Sequence, residues 1–355
     1  MEKKRVLLGI SGGVDSSVSA LLLKKAGYEV IGITMVLFKT EDNSMVEDAK
    51  KVCEKLGVEH QVLHCEKEFK ENVIDNFINS YENAQTPNPC IKCNKHIKFG
   101  ILFEKAKELD CSYIATGHYA QITWDEKYKQ YILKKSKAAK KDQSYFLYQI
   151  PQEILPKIIF PLADFTDKTE IRKIAEENGL SVAKKKDSQE VCFIPNNNYV
   201  NFLEENGISG KKGDIVFSNG EKVGEHTGLI NYTIGQRKGL GITYKEPLYV
   251  INLNKEKNEV VVGTEKELYS NTLYAKNLNI LVNNIDLSKK IEITAKIRYR
   301  SQQEKAVLEI DENKETAKIV FEKPQRAITP GQSVVFYIDD VVLGGGEIMT
   351  SFLKY

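Results

Sequence analysis

Six residues near the N-terminus, Ser11-Gly12-Gly13-Val14-Asp15-Ser16, combine the properties that an anion-binding turn needs. Two adjacent glycines admit positive φ, so successive N–H groups can converge on one anion at the positive end of a following helix. The hydroxyls of Ser11 and Ser16 add two donors. The residues on either side agree: 5–10 (RVLLGI) form a continuous apolar run of strand type, and 14–25 carry apolar residues at helical spacing up to Gly27. Strand, glycine turn and helix in that order predict phosphate binding. The bland alternative is a tight βα turn with a Ser/Asp cap. Neither the Gly-Lys-Ser/Thr element nor a G-x-G-x-x-G pattern is present.

The elements that must hold this turn alternate along the chain. Strands expected at 30–38 and 59–63, with helices at 45–56 and 66–81, predict a parallel sheet with crossover helices, an α/β domain. Residues 84–93 (AQTPNPCIKC) place two prolines one residue apart and read as an exposed loop. A helix at 94–109, a strand at 112–116 ending in Gly117-His118, a hairpin at 120–133 and a helix at 166–179 follow. Beyond about residue 207 glycines become frequent and short alternating segments replace helical spacing. This predicts a small β-rich domain and then a terminal β-barrel or sandwich with strands at 291–299, 306–310, 317–321 and 333–338. The expected division is 1–200, 201–272 and 273–355.

Composition narrows the function classes. At 355 residues with 41% hydrophobic and 28% charged side chains, the chain is too apolar for disorder and long enough for two or three domains. Its 51 Lys+Arg nearly balance 49 Asp+Glu, so any nucleic-acid binding must rest on local patches. Residues 127–141 supply one candidate, with seven lysines and no acid, although such runs are more often solvated surface. No apolar run approaches the roughly 20 residues of a membrane helix. The charged start predicts no signal peptide, and six cysteines predict no disulfide scaffold; the expected setting is the reducing cytoplasm, away from membranes.

The hexapeptide resembles the pyrophosphate loop of the PP-loop ATP pyrophosphatases, whose domain is of the adenine nucleotide alpha hydrolase-like type. Further motifs extend the likeness: Thr86-Pro87-Asn88-Pro89, Cys93-Asn94-Lys95, Ile97-Lys98-Phe99, Ala115-Thr116-Gly117-His118-Tyr119, 141–147 (KDQSYFL), Asp187-Ser188, Cys192-Phe193-Ile194, 235–241 (GQRKGLG) and Arg298-Tyr299-Arg300. Together they are similar to the tRNA 2-thiouridylase family over nearly the whole chain. That resemblance implies a two-step reaction in which ATP, with Mg2+, adenylates O2 of the wobble uridine 34 and a sulfur nucleophile then replaces AMP at C2. Such chemistry needs a nucleotide site and a thiol site together, because a carbonyl oxygen leaves poorly until it carries a phosphoryl group. Carried over by position, Gly9, Ile10, Ser11, Gly12, Gly13, Val14, Asp15 and Ser16 would hold the phosphates. Met35 would contact adenine, with plain core packing as its alternative, and Gly117 would line the nucleotide site. Asn88, Pro89 and Cys90 would face the target base. His118, Asp142, Gln143, Ser144, Arg298, Tyr299 and Gln332 would contact tRNA, and a cysteine desulfurase, sulfur carrier or inorganic sulfide would supply sulfur.

The commoner family pattern has Asp three residues before the first catalytic cysteine; this chain has Cys90-Ile91-Lys92-Cys93. If the family fold holds, Cys90, Cys93 and the distant Cys192 converge. Three thiolates would suit a [4Fe-4S] cluster with one open iron position, and the third sulfur favours that reading. Alternatively, Cys192 carries a persulfide and Cys93 resolves it. A Cys₃His zinc site with His96 is a duller possibility. Cys53, Cys65 and Cys111 are expected to be inert core thiols. Another adenylating synthetase would share the loop, but no fused glutaminase cysteine follows Met1. A pure RNA-binding module would leave the loop and thiols without a purpose.

Overall fold

The computed structural model describes residues 4–39, 42–183, 185 and 191–350. Five strands form one parallel sheet: β1 (Arg5–Gly9), β2 (Glu29–Val36), β3 (Glu59–His64), β4 (Tyr113–Ala115) and β7 (Ile158–Ile159), in the order β3-β2-β1-β4-β7. The inner strands are buried on both faces, as their unbroken apolar runs require. Crossover helices α1 (Val14–Lys25) and α2 (Ser44–Leu56) lie where helical spacing placed them. Helix α3 spans 66–82 and helix α4 spans 89–108; each is continuous, and each has a stretch wound to the wider i→i+5 pattern, Lys70–Ile74 and Asn94–Ile101.

Helix α4 corrects one expectation. Residues 84–88 are irregular, but Pro89–Cys93 form the first turn of α4 rather than loop. Proline is well suited to the first helical position, where its missing N–H would have no partner anyway. Cys90 and Cys93 are therefore one helical turn apart at the start of a helix.

Helix α5 (Lys168–Glu177) and helix α6 (Tyr199–Glu205) lead into the central four-stranded sheet. It orders β8 (Gly213–Phe217), β9 (Lys222–His226), β10 (Tyr249–Asn254) and β11 (Glu259–Gly263) as β10-β11-β8-β9. The last region is an antiparallel barrel of β12 (Tyr269–Ile280), β13 (Ile291–Lys296), β14 (Glu304–Ile310), β15 (Thr316–Arg326), β16 (Ser333–Ile338) and β17 (Val341–Ile348). It is closed by pairing of β12 with both β15 and β17.

The expected hairpin, β5 (Gln121–Asp125) and β6 (Gln130–Lys134), belongs to the first region in sequence but joins the barrel sheet in space, with Lys134 opposite Val341. One apolar cluster accordingly unites Leu7 and Ile31 of the parallel sheet with Tyr148 and with Val335, Tyr337 and Val342 of the barrel.

Candidate nucleotide and thiol sites

β1 ends at Gly9 and α1 starts at Val14, so residues 10–13 turn at the carboxyl edge of the sheet. β1 lies between β2 and β4, where the strand order reverses, the place where open α/β sheets bind ligands. Ile10 is anchored by its N–H to the Ile33 carbonyl (2.9 Å) and by its carbonyl, which accepts from Thr34 Oγ1 (2.9 Å). Gly12 has φ +61°, and a Cβ there would stand 2.7 Å from the Met45 carbonyl oxygen and 2.8 Å from Asp48 Cβ. Both conformation and space demand glycine. Ser16 Oγ accepts from the Ser11 N–H (3.2 Å) and lies 3.2 Å from the Gly13 carbonyl, and Ser17 Oγ donates to that same carbonyl (2.8 Å).

Gly117, just beyond β4, packs against this turn: a Cβ would lie 3.0 Å from Asp15 C and Ser16 N. The structure thus places Gly117 against the loop. Asp15 faces inward, accepting from Tyr119 Oη (2.8 Å) and paired with Lys168 Nζ at 2.7 Å. Met35 is half-buried and packs against two apolar clusters, and its Cε would be 3.7 Å from a Cβ at Gly9.

An aromatic cluster that composition alone did not advertise brings the chain at Cys93 and the 191–194 segment together. Cys93 is buried with Phe69, Val73, Phe77, Ile97, Phe193 and Ile194. Phe193, next to Cys192, packs edge-on against Phe69 (5.7 Å between ring centroids), Phe77 (5.4 Å) and Phe202 (5.3 Å). Burial of these rings moors the distant 191–194 segment beside α4. Cys90 and Cys192 present surface to solvent. Protein still crowds all three sulfurs, and desolvation raises the thiol pKa of Cys90 and Cys93 and pushes that of Cys192 up to about 12. For Cys192 the charges of Cys93 and Cys90 act in the same direction.

Lys98 opposes these shifts at each of Cys90, Cys93 and Cys192, a feature that sequence reasoning missed. At 3.6 residues per turn, a residue five positions on would lie about 140° around the helix from Cys93. The i→i+5 winding of Asn94–Ile101 brings Lys98 back towards the thiol face. Cys65, expected to be inert, is almost fully buried in the same cluster, and burial raises its pKa to about 11. Cys53 is fully buried too, while Cys111 is only half-buried.

The remaining candidates fall into two groups. His118 is buried between Phe99 and Phe160, with Nδ1 2.8 Å from Thr116 Oγ1, and burial and the Lys98 charge push its pKa well below the ordinary imidazole range. Asp142 caps Ser136 and Ser144 through backbone N–H groups, Gln143 Oε1 accepts from the Tyr119 N–H (2.9 Å), and Ser144 is fully buried. In the barrel, Arg298 donates to the Ala327 carbonyl and to Thr329 Oγ1 (3.1 Å), and Tyr299 lies on Phe146 (4.4 Å between centroids). Gln332 Nε2 donates to the carbonyls of Thr86 (2.8 Å) and Pro87 (3.2 Å), so the barrel grips the segment leading to Asn88, Pro89 and Cys90. In the lysine-rich stretch, Lys129, Lys134 and Lys137 are paired with Glu126, Asp340 and Asp164. Asp187-Ser188 lies outside the described residues.

The donor sets of the metal readings do not fit. Among the described residues no group of three or more His, Cys, Asp or Glu side chains could hold a metal ion. Neither the expected three-cysteine [4Fe-4S] set of Cys90, Cys93 and Cys192 nor the Cys₃His set with His96 is assembled. No helix among the described residues is long and apolar enough to cross a membrane.

Comparison with known proteins agrees with this layout. Residues 4–196 match the family model described as tRNA methyl transferase HUP domain, residues 200–264 the tRNA methyl transferase PRC-barrel domain, and residues 270–348 the aminomethyltransferase beta-barrel domain. The chain is 47% identical to the tRNA-specific 2-thiouridylase of Halothermothrix orenii, covering 98% of this chain and 99% of that one. It is 46% identical to those of Clostridioides difficile (98% and 99%) and Acetivibrio thermocellus (98% and 100%).

Proposed function

Taking as premise that the chain belongs to the tRNA-specific 2-thiouridylase family, we propose that it adenylates O2 of wobble uridine 34 in tRNA and replaces that oxygen with sulfur. The carrying observation is a phosphate-type turn at the strand-order reversal together with a core that packs Cys93 with Phe193, the neighbour of Cys192. The turn, residues 9–16 with Gly117, takes ATP and Mg2+. The O2–phosphorus bond forms as pyrophosphate leaves. The activated C2 then accepts sulfur as the C2–O2 bond breaks and AMP departs.

For sulfur delivery we favour the persulfide relay, which needs two cysteines rather than the three-cysteine set that is not assembled among the described residues. Cys192, exposed and moored by Phe193, carries the persulfide; its terminal sulfur attacks C2. The Cys93 thiolate attacks Cys192 Sγ, releasing thiolated tRNA and leaving a Cys93–Cys192 disulfide that an external thiol must reduce. The sulfane sulfur passes to the Cys192 thiolate from the persulfide of a cysteine desulfurase or of a sulfur carrier, whose own thiolate is the leaving group. Asp142, Gln143, Arg298, Tyr299 and Gln332 contact the tRNA, with buried His118 and Ser144 supporting that surface from beneath, and the loop base swings out to the site at modest cost. Residues 1–200, 201–272 and 273–355 are the working domains, in the cytoplasm.

The test is an anticodon stem-loop transcript with ATP and a sulfur source, followed by mass spectrometry for 2-thiouridine and assay of AMP. Thiolation without ATP conversion to AMP overturns the proposal. Iron and acid-labile sulfide in oxygen-protected protein, with activity lost in Cys90→Ala, replaces the relay with a cluster.

A further inference from the structure

The phosphate turn lacks the lysine that many nucleotide loops carry in their own sequence. Two lysines from elsewhere stand against it. Lys168 opens α5, fixed there by Asp167, whose Oδ1 accepts from the Thr169 N–H (2.8 Å); its Nζ lies 2.7 Å from Asp15 Oδ2 and its side chain is only 13% exposed. Lys185 reaches the Gly12 carbonyl (3.3 Å) and Asp48 Oδ2 (2.8 Å). Arg172, also on α5, donates to the carbonyls of Ala183 (2.7 Å) and Lys185 (3.0 Å), so the helix that bears Lys168 also anchors the backbone at Lys185. Ile171 and Ala175 of that helix pack in the same core as Val14 and Val18 of α1, which sets its position relative to the turn.

Each of these ammonium groups faces a carboxylate. A pyrophosphate entering the turn gains from the backbone N–H groups but meets Asp15 and Asp48 as repelling neighbours. Cations already within reach can change partner at little cost, because phosphate oxygens are better-charged acceptors than the carboxylates they leave. We propose that Lys168 and Lys185 are cationic ligands of the leaving pyrophosphate, held ready on Asp15 and Asp48 and transferred to phosphate oxygens when nucleotide fills the turn. The inference rests on the adenylating reading above and extends it to residues outside the turn.

Inorganic pyrophosphate and ATP are the probes, titrated calorimetrically into the full-length chain. Lys168→Met and Lys185→Met each weaken pyrophosphate binding roughly tenfold or more and raise the KM for ATP, while Lys168→Arg keeps most of the affinity. Asp48→Asn releases Lys185 from its tether, so pyrophosphate binds it as tightly as wild type or tighter. A merely structural Lys185–Asp48 pair instead predicts equal weakening in Asp48→Asn and Lys185→Met, and that result overturns the proposal, as does unchanged pyrophosphate binding in both lysine variants. Wild-type protein that binds neither probe refutes the adenylating reading itself, a distinguishable failure.

Discussion

In the phosphate turn, neighbours in sequence hold one another: Ser11, Gly13, Ser16 and Ser17 close a set of short hydrogen bonds, and Gly12 supplies the one conformation the backbone needs. At the thiol site nothing local joins the partners. Cys93 sits near the start of α4, and the segment bearing Cys192 is held beside it because Phe193 is packed among Phe69, Phe77 and Phe202. A site built by local hydrogen bonds survives loosening elsewhere, whereas one built by distant apolar burial is only as ordered as that core. Adenylation and sulfur transfer should therefore fail separately.

The largest separation comes from Cys192→Ala, which abolishes 2-thiouridine in nuclease digests while tRNA-dependent AMP formation persists; loss of both together breaks the comparison. Gly12→Ala is the mirror image. The strain of positive φ, on the order of 1 kcal/mol, adds to the clash with the Met45 carbonyl, and ATP affinity falls at least tenfold in calorimetry with thiol alkylation unchanged. Phe193→Ala removes a buried ring at about 3–5 kcal/mol, visible as a lowered Tm, and depresses thiolation far more than ATP binding.

A subtler effect concerns pH. Folding holds the Cys192 proton beyond the ordinary thiol range, so the associated stability is fully present at neutral pH and is lost as pH rises towards about 12. Iodoacetamide then labels Cys192 slowly at pH 7 despite its exposure, faster as pH rises, and Lys98→Met slows labelling a further few-fold by mass spectrometry. The smallest change is in Cys90→Ala, which under the relay retains most thiolation.

The difference between the two regions also explains what the sequence made legible. Strand, glycine turn and helix are local patterns, so the loop, its flanking elements and the hairpin at β5–β6 could be read directly. Gly117 followed from the family likeness. Pro87 and Pro89 were ambiguous, since the same residue types that break a helix also begin one. Phe193 was visible as part of a motif but its packing was not, because its partners come from α3 and α6. Lys98 depends on an underwound stretch that no spacing rule announces. β12 was missed because its outer face is polar. β17 was missed because Gly344-Gly345-Gly346 suggest a turn; they permit a strand where Tyr148 lies flat, with a Cβ at Gly345 only 2.7 Å from its ring.

That strand bears on biosynthesis. Leu133, Tyr145 and Tyr148 emerge from the ribosome about 200 residues before their cover, Val335, Tyr337 and Val342. Until then the nascent polypeptide displays a greasy flank attractive to chaperones and to its own neighbours. Maturation thus waits on the final hairpin, and a premature stop before Ser333 leaves the loop and the thiols in a body that cannot close.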